Sequence, residues 1–152
     1  MSSSSLKKTF QVNKKDFIHA GEASIHIKNL LKSLNMNSAI IRRVAICGYE
    51  GEMNVVMHGG EGCLQLEIDT EKVALDISDN GPGIENIDLA MQEGFSTALD
   101  KYREMGFGAG MGLPNMRKNA DVFNIESEKG KGTKVQMTFF ITRSSGVLGS
   151  AL

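Results

Sequence analysis

The absences in this chain narrow the choices first. Its 152 residues carry 17 lysines and arginines against 18 aspartates and glutamates, a formal charge of −1. So near a balance gives no electrostatic drive toward nucleic acid or an anionic membrane, and neither is expected as a partner. Cysteine is scarce: Cys47 falls in a helical pattern and Cys63 in a strand pattern. With no secretory signal ahead of them, both are expected to be reduced, buried thiols of a cytoplasmic protein. Residues 1–8 are serine-rich and then basic, without the apolar centre of a signal peptide. No apolar run approaches membrane-spanning length, and no internal repeat is visible.

Two common phosphate-binding motifs are also missing. Gly130-Lys131-Gly132-Thr133 has some letters of a Walker A loop, but its spacing is wrong and it lies between strand-like runs. The glycines at 106, 108, 110 and 112 alternate, so no G-x-G-x-x-G forms; Leu113 stands where the last glycine of a fingerprint from Gly108 would be.

What is present is concentrated between Val73 and Met116. The run Val73, Leu75, Ile77 alternates like a strand and ends in Asp79-Asn80-Gly81-Pro82-Gly83, leaving a carboxylate at an exposed turn. The second glycine cluster, from Gly106 to Gly112, opens into Leu113-Pro114-Asn115-Met116, a plausible helix start. Backbone without Cβ atoms can close around an anion, and a helix N-terminus adds unpaired N–H groups and a favourable dipole. Together they propose a phosphate cradle.

The rest of the chain fits one domain over residues 9–142, after a disordered lead-in (1–8) and before a flexible tail (143–152). A short edge strand is expected at Thr9 to Val12 and a helix from Gly21 to Leu34. After a break with Asn37 or Ser38 as N-cap, a long helix runs to a glycine stop at Gly59-Gly60. Gly48 and Gly51 share one face of that helix and would let something pack closely. Strands at 62–69 and 72–79 form a hairpin, a helix spans 113–120, and strands at 122–127 and 133–141 form a second hairpin. Between them, residues 85–112 make a long connection with helical character only around Ile87 to Met91. Helices early and hairpins late imply an α+β fold: a two-layer sandwich with a mixed, mostly antiparallel sheet and helices on one face.

On the long helix Glu50 and Asn54 lie four apart and project from the same side. An amide oxygen is a hard ligand for Mg²⁺, and a carboxylate beside it can take a proton or orient an attacking group. An exposed polar pair is the commoner meaning of E-x-x-x-N alone, and Glu52 is expected to point away into solvent.

Taken together, these segments resemble the GHKL ATPase superfamily, whose Bergerat fold is shared by gyrase-type ATPases, a class of heat-shock chaperones, histidine-kinase catalytic domains and anti-sigma-factor serine kinases. Glu50 to Asn54 resembles its N box, Asp79 to Gly83 its D-x-G-x-G box, Gly108 to Gly112 its lid box, and Gly132-Thr133 its late G-T element. Within the superfamily, Ala90 to Thr97 and Gly110 to Pro114 resemble the small anti-sigma and stress-switch serine/threonine kinases. His19, His26 and His58 are scattered and no phosphoacceptor dimerisation helix precedes them, unlike a complete histidine kinase.

The resemblance implies ATP and Mg²⁺ as cofactors. It implies that Asp79 accepts the adenine amino group, which selects adenine over guanine, with Gly81 and Gly83 keeping the turn open to the base. Asn54 would hold Mg²⁺, and Gly108, Ala109, Gly110, Met111 and Gly112 would wrap the phosphates, with Thr133 adding a hydroxyl. Glu50 would be the catalytic base acting on a protein serine. Lys101, Arg103 and His58 read as a solvated loop and a helix-end residue. The implied partner is a small antagonist protein of the sulfate-transporter and anti-sigma-antagonist (STAS) type, with a sigma factor as a second; whether the chain forms a homodimer is left open. Two other readings stand beside the kinase: a nucleotide-gated binding module, and a detached histidine-kinase domain acting in trans.

Overall fold

Alternation in the central strands sets the architecture. In the computed structural model, which describes residues 5–58, 60–92 and 112–141, β1 is Leu6–Asn13, β2 Glu61–Ile68, β3 Lys72–Asp79, β4 Val122–Glu128 and β5 Gly132–Phe140. Leu64, Leu66 and Ile68 of β2 stand opposite Ile77, Leu75 and Val73 of β3, and those opposite Val135, Met137 and Phe139 of β5. All nine are buried. Successive strand residues face opposite sides, so this register gathers one continuous apolar surface on one face of the sheet. Burying a side chain such as Leu75 or Phe139 there is worth about 1.5–3 kcal/mol relative to leaving it in water.

The sheet order is β1-β2-β3-β5-β4, and every described ladder is antiparallel, where the sequence left room for a mixed sheet. At the edge, β1 starts at Leu6, three residues before the expected Thr9, and pairs along all of β2. Leu6, Lys7 and Lys8, read as lead-in, are drawn into the ladder by backbone pairing that leaves no mark on side-chain alternation.

Helices cover the apolar face: α1 (Glu22–Ser33), α2 (Ser38–His58), the single turn α3 (Ile87–Ala90) and α4 (Gly112–Asn119). Ile27 and Leu31 of α1, Val44 and Val55 of α2, and Leu113 and Met116 of α4 join the core. The end of α1 is a Schellman motif: Asn35 takes φ 56°, its N–H reaches Lys32 O at 3.0 Å, and Met36 N–H reaches Leu31 O at 3.1 Å. Asn37 then caps α2, its side-chain oxygen accepting the Ala39 N–H at 2.8 Å.

The length of α2, 21 residues, carries it about 31 Å across the sheet. Gly51 lets it settle there, because a Cβ at that position would run into the Ile77 side chain of β3. Gly48 faces Leu75 and Ser24 at ordinary contact distance. Among the described residues, no helix is long and apolar enough to cross a membrane.

Candidate functional site

Three polar residues form a row on α2. Glu50, Asn54 and His58 are each four apart, so they follow one another along a single flank and span about 12 Å. All three are half-buried. The two ends of the row meet different parts of the chain.

At the Glu50 end stands the first turn of α4. Asn115 Nδ2 donates to Glu50 Oε2 at 3.2 Å. A Cβ on Gly112 would lie 3.3 Å from Asn54 Oδ1 and 3.5 Å from Glu50 Oε1, so this glycine brings the helix start against both side chains. The helix start, whose first N–H groups have no partner within the helix, and the positive end of its dipole thus lie beside a carboxylate and an amide oxygen. The oxygen-only donor pair suits Mg²⁺, which commonly takes one or two protein ligands and completes its shell with phosphate oxygens and water. Among the described residues, no group of three His, Cys, Asp or Glu is placed to hold a metal.

At the His58 end stands Asp79, the last residue of β3. Its Oδ1 accepts the Gly81 N–H at 2.8 Å. Burial pushes the Asp79 carboxyl above the ordinary carboxylate range, against the opposing pull of the Gly81 and Thr133 N–H groups and of His58. Burial likewise depresses His58, with Asp79 working the other way. An ionised carboxylate has about four lone-pair sites, so two backbone donors leave it able to accept from a ligand.

The turn that follows Asp79 is seated on the β4–β5 hairpin. Gly83 at φ 78° and Gly132 at φ 93° take left-handed backbone, and side chains there would strike the Glu128 and Asp79 carbonyls respectively. Gly130 N–H donates to Pro82 O at 2.6 Å. Ser127 ties the two turns: its hydroxyl accepts the Ile84 N–H at 2.6 Å, donates to Gly132 O at 3.0 Å and meets Thr133 Oγ1 at 2.8 Å. With the Ser127 proton spent on Gly132, Thr133 is the donor in that contact and offers a ligand only its lone pairs.

The expected site residues Glu50, Asn54 and Gly112 therefore converge, as do Asp79, Gly81, Gly83 and Thr133. Gly108, Ala109, Gly110 and Met111 lie outside the described residues, as do Lys101 and Arg103. Three contributors were missed. Asn115 had a signal, its place in the first turn after the glycine run, whereas Ser127 had none. His58 is indeed the end of α2, but it also faces Asp79.

Glu52 requires a correction. Expected in solvent, it is only 2% exposed and accepts hydrogen bonds from Gly21 N–H (2.9 Å), Ala23 N–H (3.3 Å), Ser24 N–H (3.0 Å) and the Ser24 hydroxyl (2.7 Å). The reason lies in α1, whose N-cap is Gly21 and so has no side chain to satisfy the first N–H groups. Cys47, by contrast, is a packing thiol: burial pushes it up to about 12, and its Sγ donates to Met116 O at 3.6 Å.

Known proteins share these segments. The family described as histidine kinase-, DNA gyrase B-, and HSP90-like ATPase matches residues 49–143, a stretch that begins beside Glu50 and takes in Asp79, Gly112 and Thr133. An anti-sigma F factor of Thermoanaerobacter pseudethanolicus is 34% identical over 110 residues, covering 70% of this chain and 69% of that protein. The serine/threonine-protein kinase RsbT of Bacillus subtilis is 32% identical over 113 residues, covering 72% and 79%. An anti-sigma F factor of Clostridium acetobutylicum is 30% identical over 120 residues, covering 76% and 80%. With more than half of its length matched and its four boxes in the family's order, the chain belongs to the histidine kinase-, DNA gyrase B- and HSP90-like ATPases.

Proposed function

We propose that this chain is an ATP- and Mg²⁺-dependent serine/threonine kinase that phosphorylates a small antagonist protein and acts as an anti-sigma regulatory factor. The observation that carries the reading is the polar row of α2, with a half-buried carboxylate, Asp79, at one end and the start of α4 beside Glu50 at the other. A nucleotide laid along that row has its adenine amino group at Asp79 and its phosphates at the α4 N-terminus. Asn54 would hold Mg²⁺, which supplies charge neutralisation at the phosphates.

Each residue of the row then has a task. Asp79 accepts from the adenine amino group and rejects a carbonyl at that position. The N–H groups at the start of α4 stabilise negative charge on the phosphates. Glu50, oriented by Asn115, accepts the proton of the attacking serine as its oxygen bonds to the γ-phosphorus. The bond from that phosphorus to the bridging oxygen breaks, and ADP leaves with the electron pair.

The relatives' names support different sides of this function: RsbT is named a serine/threonine-protein kinase, and others are named anti-sigma F factor. The latter favour a second reading, in which ATP sets the affinity for a sigma factor and little transfer occurs. Purified chain with labelled ATP and a candidate antagonist separates the two. Phosphoserine should form and be lost in Glu50→Ala while ATP binding survives; affinity changes without label transfer would favour the second.

A further inference from the structure

We propose that the groove between α1 and α2 receives the segment of the protein substrate that carries the acceptor serine, and that it selects acidic residues a few positions from that serine. The inference rests on the kinase reading above and names the substrate chemistry that site would accept. It begins from an open trough of about 530 Å³, bounded by α1 on one side and α2 on the other. On α2 the lining runs from Ser38 to Glu50, which is about 18 Å of helix. One end of the trough is therefore the residue proposed as the base.

Arg42, Ile46, Glu50 and Asn54 are successive members of one row at four-residue spacing, so the trough leads directly into the nucleotide row. An extended peptide of about six residues would fill its length. A chain lying in it has a hydroxyl delivered at Glu50 without bending, whereas a small molecule would leave most of the trough empty.

Charge identifies the occupant. Lys28 and Lys32 of α1 and Arg42 of α2 line the trough, all three exposed, and among the described residues none takes part in a salt bridge. Glu50, at the end, is the only acidic side chain in the lining among the described residues. This positive excess is local, because the whole chain carries a formal charge of −1. Along α2, Ile46 and Tyr49 lie between Arg42 and Glu50, the tyrosine 42% exposed despite its size. The matching ligand is a peptide segment with apolar residues next to its serine and Asp or Glu about four residues away, since Arg42 stands eight residues, about 12 Å, along α2 from Glu50. Carboxylates would meet the rim and apolar side chains the floor.

Fluorescence anisotropy on the full chain, with a non-hydrolysable ATP analogue present, tests the groove. The probes are a fluorescein-labelled peptide with Leu next to its serine and Glu about four residues away, and the same peptide with Lys for Glu. The acidic probe should bind at least about tenfold tighter, in a salt-sensitive manner, and the combined variant Lys28→Glu, Lys32→Glu, Arg42→Glu should reverse the order. All three positions are exposed, so the variant should fold and bind ATP like the parent, which calorimetry checks. No preference in the parent, or a preference unmoved by charge reversal, overturns the proposal. Phosphoserine transfer is scored separately: acidic binding reversed by the variant, with no transfer by the parent, sinks the kinase reading and leaves the groove. Transfer to the antagonist protein undiminished by the variant does the opposite.

Discussion

The Glu52 carboxylate receives both the backbone N–H and the hydroxyl of Ser24, at 3.0 and 2.7 Å, across 28 residues of chain. With Gly21 and Ala23 also donating, a side chain of α2 closes the N-terminus of α1, where a negative charge also meets the positive end of the helix dipole. Glu52 lies two residues from Glu50 and two from Asn54, about 200° around the helix from each. Fixing Glu52 in the core therefore fixes the direction in which the other two face.

Removing that carboxylate should be severe. Glu52→Ala would leave buried donors without an acceptor and is expected to cost more than about 3 kcal/mol, while Ser24→Ala costs about 1 kcal/mol. Glu52→Gln, which puts an amide NH₂ among donors, should fall between. Urea unfolding midpoints order the three, and an alanine variant within 1 kcal/mol of the parent would show that water replaces the clamp.

Gly51→Ala tests the seat of α2 on β3. Helix propensity alone would favour alanine by about 1 kcal/mol. The new methyl meets the Ile77 side chain, which is 4% exposed in a packed interior, so a net destabilisation of about 1–3 kcal/mol is expected. Adding Ile77→Val should recover part of the loss. A more stable single variant would mean the contact yields freely.

The sequence made some of this legible and hid the rest for physical reasons. Strand alternation located Leu75 and Ile77, and four-residue spacing paired Glu50 with Asn54, because both are local periodicities. Glu52 was misread because the demand it meets arises at Gly21, about thirty residues away, where a helix begins without a capping side chain. Ser127 was invisible because its partners come from two separate turns. Leu6 to Lys8 looked like a tail because a ladder is held by backbone groups that every residue possesses.

Ser127→Ala should loosen the link between those turns. The Ile84 N–H loses its acceptor, the Gly132 carbonyl loses a donor, and Thr133 loses its partner. A loss of about 2 kcal/mol in stability is expected, with weaker nucleotide binding because the turn after Asp79 is no longer held. Calorimetric ATP affinity equal to the parent would separate the turn's anchoring from the pocket.

Acid should act on Asp79 in two opposite senses. Its carboxyl is raised by burial above the ordinary value of about 3.9, so the folded chain holds that proton more readily than the unfolded chain. This contribution to stability is complete below the unfolded pKa and is lost as pH rises through the folded one. If Asp79 accepts the adenine amino group as proposed, recognition needs the carboxylate, so affinity is instead lost as pH falls through the same folded value. At neutral pH, Asp79→Asn should weaken ATP binding about tenfold to a hundredfold, the worth of a charge-assisted hydrogen bond. Nucleotide phosphates titrate alike with parent and variant, so the ratio of their affinities isolates the carboxyl. That ratio should shrink toward unity on acidification, beginning above the ordinary carboxylate range. His58 faces the same carboxyl, and the shrinkage should persist in His58→Asn if Asp79 is its origin. A ratio near unity at neutral pH would remove Asp79 from adenine recognition.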